Sequence, residues 1–157
     1  MADAKPPVVT SSRAVWRGGL RFDAGKDARV HAIDGNSKEA PSPVETLLNA
    51  LGACAGSDVV DILEKRRTPL TAMQVDVVAT RRGEYPRRVM RLDVTFTIDG
   101  KAVETDQAER AIRLSFERYC TVAASLAGDI ELTSVLVLNG TRGEPVGQPM
   151  FSETFKR

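Results

Sequence analysis

The hydrophobic pattern of the chain is densest between residues 42 and 67. Ser42, Pro43 and Glu45 open this stretch in the arrangement of a capping box, in which a serine and a glutamate satisfy unpaired amides at a helix start. The segment from Leu47 to Gly56 is apolar on nearly every side, so the pattern predicts a helix that is buried on most of its faces. The apolar residues that recur with a helical period are Val44, Leu47, Leu48, Leu51, Ala55, Val59, Ile62 and Leu63.

Alternating apolar and polar residues predict strands on both sides of this helix. The cleanest alternation runs from Met90 to Ile98, and another runs from Met73 to Ala79. A second helical period covers residues 104–119, and Thr121 is predicted to cap a short helix that follows. Shorter apolar runs bounded by turn residues predict four more strands, at residues 8–16, 20–22, 29–33 and 130–138.

The order of these elements is β-β-β-α-β-β-α-β, with hairpins expected rather than crossovers. This order predicts an α+β fold with antiparallel sheet. We expect residues 1–12 to be a loose leader, residues 13–138 to form a single domain and residues 139–157 to be a loose, polar C-terminal tail.

Composition narrows the possible functions. The chain has 157 residues with 22 basic and 21 acidic side chains, and this balance does not favour nucleic-acid binding. No apolar run approaches the roughly 20 residues of a membrane span, and the N-terminus lacks the apolar core of a signal peptide. A cytoplasmic protein with reduced cysteines is therefore expected. One histidine and the lack of a C-x-x-C pair do not favour a metal site.

The candidate chemistry lies in the two cysteines. Cys54 is surrounded by Ala53, Ala55 and Gly56, and Cys120 is also followed by small residues. Small neighbours leave room for a substrate or a second sulfur, and Cys54 is expected to be the more deeply buried of the two. A cysteine in an apolar helix is nevertheless often only a small buried hydrophobe, so catalytic and structural roles both stay open here.

Reactivity of Cys54 would need a cation from elsewhere in the fold. The helix start is nearly three turns away, too far for its dipole to favour the thiolate strongly. Asp58, one turn later on the same face, disfavours a thiolate. Arg17 and Arg21 flank the Gly18-Gly19 turn, and either arginine is a candidate activator; both are equally well explained as solvated charges at strand ends.

Specific motifs resemble the OsmC/Ohr family, the osmotically inducible and organic-hydroperoxide-resistance proteins of bacteria. The resemblance covers most of the chain, from about residue 13 to residue 138. The residues that carry it are Ser42-Pro43-Val44-Glu45-Thr46-Leu47-Leu48 through Gly52-Ala53-Cys54, Arg118-Tyr119-Cys120, Trp16, Gly19, Leu20, Phe22 and Asp34-Gly35.

This resemblance implies an intertwined homodimer, with antiparallel sheets around two central helices, and a thiol peroxidase that needs no metal or cofactor. Cys54 would be the peroxidatic cysteine and Cys120 the resolving one. Arg21 is the nearer match to the family's activating arginine and Arg17 the second, while Glu45 would orient the arginine. The expected partners are a second copy of the chain, an organic or hydrogen peroxide and a dithiol reductant.

One position departs from the family pattern. In hydroperoxide reductases a glutamate directly follows the helix proline, whereas this chain has Val44 there and Glu45 one position later. One residue is about 100° around a helix, so Glu45 need not face the same pocket. The chain therefore resembles the OsmC-like branch more closely. The alternative is a non-enzymatic dimer that binds a small apolar or acyl ligand, with cysteines that are mainly structural.

Overall fold

The computed structural model describes residues 5–150 of the chain. The chain divides into two compact units, of which the first ends at Leu47 and the second begins at Leu48. The first unit contains three strands, β1 (Arg13–Gly18), β2 (Arg21–Lys26) and β3 (Arg29–Asp34), which form an antiparallel meander in the order β1-β2-β3. The three strands predicted from the sequence are present, although their limits differ.

Strand β2 extends to Lys26, four residues beyond the end of the strand predicted at residues 20–22. Gly25 lies within the strand, opposite Val30, and adopts a positive φ of 154°. A Cβ at Gly25 would lie only 2.0 Å from the carbonyl oxygen of Arg29, so this glycine permits a close backbone approach instead of ending the strand. The turn itself comes later, at Asp27, which has a φ of 55°.

Helix α1 (Pro43–Lys65) begins in the first unit with the predicted capping box. The backbone N–H of Ser42 donates to Oε2 of Glu45 over 2.7 Å, and the backbone N–H of Glu45 donates to Oγ of Ser42 over 3.2 Å. The reciprocal pair satisfies two amide groups that a helix start otherwise leaves unpaired.

The second unit contains the rest of α1, a five-stranded sheet and the helices that connect its strands. Helix α2 (Thr105–Leu114) leads directly into a π-helical turn, Ser115–Tyr119, which a pattern of apolar residues cannot distinguish from a continued α-helix. The remaining elements are β4 (Ala72–Arg81), β5 (Val89–Asp99), α3 (Thr121–Ala124), β6 (Glu131–Leu138), β7 (Thr141–Arg142) and β8 (Val146–Gln148).

The sheet of the second unit has the order β4-β5-β6-β7, with β8 also paired to β6. Strands β4 and β5 form the expected antiparallel hairpin, but β5 and β6 are parallel. The expectation of hairpins alone was wrong at this step, because α2 and α3 return the chain so that β6 enters the sheet in the same direction as β5.

Strands β7 and β8 correct the interpretation of the C-terminal segment as a loose tail. Both strands pair antiparallel with β6, so residues 141–142 and 146–148 belong to the sheet. Residues 151–157, together with residues 1–4 of the predicted leader, lie outside the described residues.

The core of the second unit lies between one face of α1 and the sheet. Phe96 in β5 contacts Phe116 edge-on, with ring centroids 6.1 Å apart. A Cβ at Gly52 would lie 3.3 Å from Cγ2 of Val77, so this glycine lets α1 lie close against β4. The fully buried side chains of α1 and β5 are Leu51, Ala55, Val59, Leu63, Leu92, Val94, Phe96 and Ile98.

The opposite side of α1 is more exposed than the sequence predicts. Ala53 and Ser57 are exposed, and Leu47 retains 38% of its accessible surface. The expectation of burial on most faces was therefore wrong for this chain taken alone, since the sheet covers a single side of the helix.

Helix α1 is the one helix among the described residues that is long and apolar enough to cross a membrane, with 23 residues and a mean hydropathy of 1.3 in its most apolar window. Core helices meet the same criteria. Because α1 places Leu51, Val59 and Leu63 in the core beneath the sheet, it packs as a core helix.

Candidate active site

Cys54 and Asp58 lie one turn apart on α1, at the border of its buried stripe. Residues four positions apart face the same side of a helix, so the thiol and the carboxylate project together. Both residues are half-buried, whereas the neighbouring Ala55 and Val59 are fully buried. The helix thus leaves two polar groups at the edge of an apolar face.

Cys120 is positioned by the end of the π-helical turn. Its backbone N–H donates to the carbonyl of Ser115 over 2.8 Å, and its own backbone is extended. Its Sγ accepts a 3.4 Å hydrogen bond from the N–H of Ala123, so Cys120 is the N-cap of α3. The prediction that Thr121 caps this helix was wrong by one residue, because a sulfur here takes the place of the usual hydroxyl oxygen.

These elements bring two side chains of α1 together with Cys120, and we call the group the Cys54–Asp58–Cys120 cluster. Both sulfur atoms and a carboxylate oxygen of Asp58 lie within 4.8 Å of one another. The hydroxyl of Ser115 donates a 2.8 Å hydrogen bond to Oδ2 of Asp58 and so holds the carboxylate in place. Cys54 and Cys120 are therefore close, as a redox-active pair requires.

Burial disfavours negative charge in this cluster. The pKa of the Cys120 thiol is raised to about 12, mainly by burial; the hydrogen bond from the N–H of Ala123 opposes this shift, and the proximity of Cys54 and Asp58 adds to it. The pKa of Asp58 is also raised, first by burial and then by the charge of Asp61, while the hydrogen bond from Ser115 opposes the shift. Cys120 is consequently a thiol at neutral pH.

The relative burial of the two cysteines is the reverse of the expectation. Cys120 is only 2% exposed, and Cys54 is half-buried. The small neighbours of Cys54 suggested a deep position, but Ala53 faces solvent and only Ala55 and Gly56 point into the core. A small molecule therefore reaches the sulfur of Cys54 more readily than that of Cys120.

The arginines predicted from the sequence lie in the first unit, where each pairs with an acidic residue. Nε of Arg17 lies 2.7 Å from Oδ2 of Asp23, and Nη1 of Arg21 lies 2.5 Å from Oε2 of Glu39. All four side chains retain a large share of their accessible surface, so these are surface ion pairs of the kind that contribute little to stability. A role for Arg21 or Arg17 beside a thiolate stays a prediction.

The hydrogen-bond partners of the Glu45 carboxylate lie in the first unit. Its carboxylate accepts hydrogen bonds from the Ser37 hydroxyl and from the backbone of Ser42, which lower its pKa to about 2. These contacts support the capping interpretation of Glu45. Its predicted contact with an activating arginine stays a prediction.

The sequence assigned no role in the site to Asp58 or to Ser115, which donates a hydrogen bond to Asp58. Asp58 was considered only as a charge that disfavours a thiolate, and Ser115 only as part of a helix face. The available signal was Ser115 itself, because a serine within the apolar stripe of a helix needs a hydrogen-bond partner once it is buried. What that partner is depends on an element 57 residues away, which no local pattern reveals.

The part of the chain that contains this cluster is similar to known proteins. A family model described as OsmC-like protein matches residues 35–135, a range that includes both cysteines and Asp58. Protein YhfA of Escherichia coli (strain K12) is 38% identical over 125 residues, which cover 78% of this chain and 92% of YhfA.

Solved structures share the fold. A hypothetical protein from Aquifex aeolicus VF5 is 24% identical with a TM-score of 0.77, covering 85% of this chain and 98% of that protein. The organic hydroperoxide resistance protein OhrB of Bacillus subtilis is 14% identical with a TM-score of 0.57, covering 81% of this chain and 98% of OhrB. These similarities confirm the α+β fold with antiparallel sheets.

Proposed function

Because the chain belongs to the OsmC-like family, we propose that it is a cysteine-based thiol peroxidase that reduces organic or hydrogen peroxides. The observation that carries this proposal is the separation of the Cys54 and Cys120 sulfur atoms, which lie within 4.8 Å of each other. Structural relatives named as organic hydroperoxide resistance proteins support the same chemistry. The name of the E. coli relative indicates no activity.

Cys54 is the proposed peroxidatic residue. Its thiolate attacks the distal oxygen of the peroxide, the O–O bond breaks, and the leaving alkoxide or hydroxide takes up a proton to become alcohol or water. The sulfur is oxidised to a sulfenic acid. The accessibility of Cys54 supports this assignment, whereas the buried Cys120, with its raised pKa of about 12, is a poor primary nucleophile.

Cys120 is the proposed resolving residue. Its sulfur attacks the sulfenic sulfur of Cys54, a disulfide forms, and the sulfenic oxygen leaves as water. Asp58 is suited to accept the proton of the Cys120 thiol, because its carboxylate lies within 4.8 Å and its raised pKa makes it a stronger base than an ordinary aspartate. A dithiol reductant then restores both thiols by thiol–disulfide exchange.

An arginine is proposed to favour the Cys54 thiolate and the departing alkoxide through its fixed positive charge. Arg21 is the first candidate and Arg17 the second, with Glu45 as the residue that orients the arginine. The support for these roles is the family resemblance of the N-terminal hairpin.

We further propose that the protein acts as a cytoplasmic homodimer. Trp16 and Phe22 lie opposite each other in the β1–β2 hairpin, and both remain exposed, Trp16 by 64%. Exposed neighbouring aromatic side chains are typical of surfaces that another chain covers. The exposed side of α1, with Leu47 and Ala53, supports the same proposal.

The experiment is a peroxide-consumption assay with cumene hydroperoxide or hydrogen peroxide in the presence of dithiothreitol. The wild type should consume peroxide over many turnovers, and Cys54→Ser should lose this activity. Ser57→Ala is the matched control, because Ser57 is exposed on α1 and bonds only within the helix. Equal consumption by wild type and Cys54→Ser would contradict the proposal.

A second candidate function is the binding of a small apolar or acyl ligand. One observation favours it, an open groove of about 390 Å³ between α1 and β4. Its lining is mostly apolar and consists of Leu48, Asn49, Gly52, Ala53, Gly56, Ser57, Met73, Val75 and Val77. This function becomes the better interpretation if the protein does not consume peroxide.

A further inference from the structure

The Cys54–Asp58–Cys120 cluster has the donor atoms of a metal site as well as those of a redox pair. We propose that the reduced protein binds one thiophilic divalent cation there, of which Zn²⁺ is the type ion, through the two sulfurs and the carboxylate of Asp58. Binding of this cation does not depend on the proposed peroxidase activity. The sequence did not favour a metal site, because neither a C-x-x-C pair nor a second histidine is present.

The distances fit a tetrahedral ion. With Zn–S bonds of about 2.3 Å and Zn–O bonds of about 2.1 Å, the ligand atoms of a tetrahedral site lie roughly 3.6–3.8 Å apart. The three donor atoms lie within 4.8 Å of one another, so they need to approach each other by at most about 1 Å to reach that separation. Three protein ligands leave a fourth position for water, as in open zinc sites.

The donors are held by separate, ordered elements. Cys54 and Asp58 are four residues apart on α1, a spacing that lets two side chains of one helix share an ion. Cys120 is fixed at the start of α3, because its backbone N–H donates to the carbonyl of Ser115 and its Sγ accepts a hydrogen bond from the N–H of Ala123. Ser115 also donates to the Asp58 carboxylate, the kind of outer contact that orients a metal ligand.

Charge explains why a cation would be favoured. The two sulfurs and the carboxylate oxygen lie within 4.8 Å of one another, so their negatively charged forms repel, and a divalent cation between them offsets that repulsion. Binding displaces the protons of both thiols to solvent, so the affinity should rise with pH.

The cation and the disulfide exclude each other. When a peroxide takes two electrons from the two sulfurs, a disulfide and either an alcohol and water or two waters form, and the site loses two of its three donors. The ion is then released. Occupancy of the site would consequently report the reduced state, and a bound ion would block attack by Cys54 on peroxide.

The test is titration of the reduced, metal-free protein with Zn²⁺ against a colorimetric chelator. One ion per chain is expected, and the variants Cys54→Ser, Cys120→Ala and Asp58→Asn should each weaken binding at least tenfold. Asp61→Asn is the matched control, because Asp61 carries the same charge on the same helix but is exposed and pairs with Lys65; it should bind like wild type. Protein oxidised to the Cys54–Cys120 disulfide should not bind.

Co²⁺ gives a second readout that does not depend on activity. Coordination by two thiolates produces sulfur-to-cobalt charge-transfer absorption in the near ultraviolet, which should fall in each cysteine variant and persist in Asp61→Asn.

Three results would overturn the proposal: no Zn²⁺ bound to the reduced wild type, equal binding by the oxidised protein, or wild-type affinity in Asp58→Asn. Zn²⁺ binding with the expected variant pattern in a protein that consumes no peroxide would leave the metal site standing while the peroxidase proposal fails.

Discussion

The hydroxyl of Ser115 donates a 2.8 Å hydrogen bond to the carboxylate of Asp58, and this contact joins the turn that precedes Cys120 to the helix that carries Cys54. Ser115 is fully buried and Asp58 is half-buried. A buried hydroxyl without a partner is costly, so each residue satisfies the other. The bond thereby fixes the relative positions of the two segments that bear the cysteines.

The first prediction concerns the pH dependence of stability at Asp58. The folded state raises the pKa of the Asp58 carboxyl above its ordinary value. The protonated carboxyl therefore adds to the free energy of unfolding. This contribution is complete below the pKa of the unfolded state and is lost as pH rises through the pKa of the folded state. Asp58→Asn, which can still accept the Ser115 hydrogen bond, should therefore be more stable than wild type at neutral pH. This difference should shrink as pH falls towards about 4.

Urea unfolding at several pH values measures this effect. The control is Glu64→Gln, which removes an exposed carboxylate from the same helix that does not contribute to the shift at Asp58. A stability difference between Asp58→Asn and wild type that is the same at pH 4 and pH 7 would show that the folded state does not perturb this carboxyl.

The second prediction concerns Glu45. The hydrogen bonds from Ser37 and Ser42 lower its pKa to about 2, so its contribution to stability is present above the unfolded pKa and is lost as pH falls from about 4.5 to about 2. Glu45→Gln should flatten the acid-unfolding profile in this window. The control is Glu64→Gln, at the exposed far end of α1, which should leave the profile unchanged. If Glu45→Gln and the wild type were equally sensitive to acid, the capping role of Glu45 would be contradicted.

The third prediction is a disulfide within one chain. Mild peroxide treatment should link Cys54 to Cys120, because their sulfurs need to move from within 4.8 Å to about 2.05 Å. Mass spectrometry of peptides should find this link in wild type, and Cys54 of Cys120→Ser should proceed to sulfinic acid instead. Conversion of wild-type Cys54 to sulfinic acid without any disulfide would remove Cys120 from the mechanism.

The fourth prediction distinguishes the two arginines. If Arg21 activates Cys54, Arg21→Ala should shift the profile of iodoacetamide alkylation at Cys54 to higher pH, because the thiolate loses a stabilising charge. Arg17→Ala should leave the profile nearly unchanged. The two variants form a matched pair, because each removes one arginine of the same hairpin and breaks one ion pair. Arg21→Ala leaves Glu39 without its arginine, and Arg17→Ala leaves Asp23 without its arginine. A larger shift in Arg17→Ala would reverse the assignment, and no shift in either would exclude both.

The fifth prediction is a stable homodimer. Sedimentation velocity at micromolar concentration should show a species of about twice the 17.0 kDa chain mass, because exposed apolar side chains such as Trp16 favour association. Trp16→Glu should weaken the dimer, whereas His31→Glu, on the exposed part of β3, is the control for added charge. A wild type that sediments as a monomer would contradict the prediction.

The sequence by itself determined the local structure. The capping box at Ser42 and Glu45, the helical period of α1 and the alternation of β5 each depend on residues within a few positions of one another. Such patterns specify hydrogen bonds and buried faces that form locally. The family motifs around Cys54 and Cys120 were readable for the same reason, since each motif is a short contiguous stretch.

Only the tertiary structure decided the contacts between distant segments. The parallel pairing of β5 with β6 and the hydrogen bond of Ser115 to Asp58 both depend on how separate elements pack. The burial of the two cysteines also depends on how separate elements pack. Cys120 is the more deeply buried, because α2 and the π-helical turn place it in the core. Cys54 lies at the border of the face that α1 buries. Local pattern carries no information about which side of a helix another element will cover, and the chemistry of the two sulfurs depends on that choice.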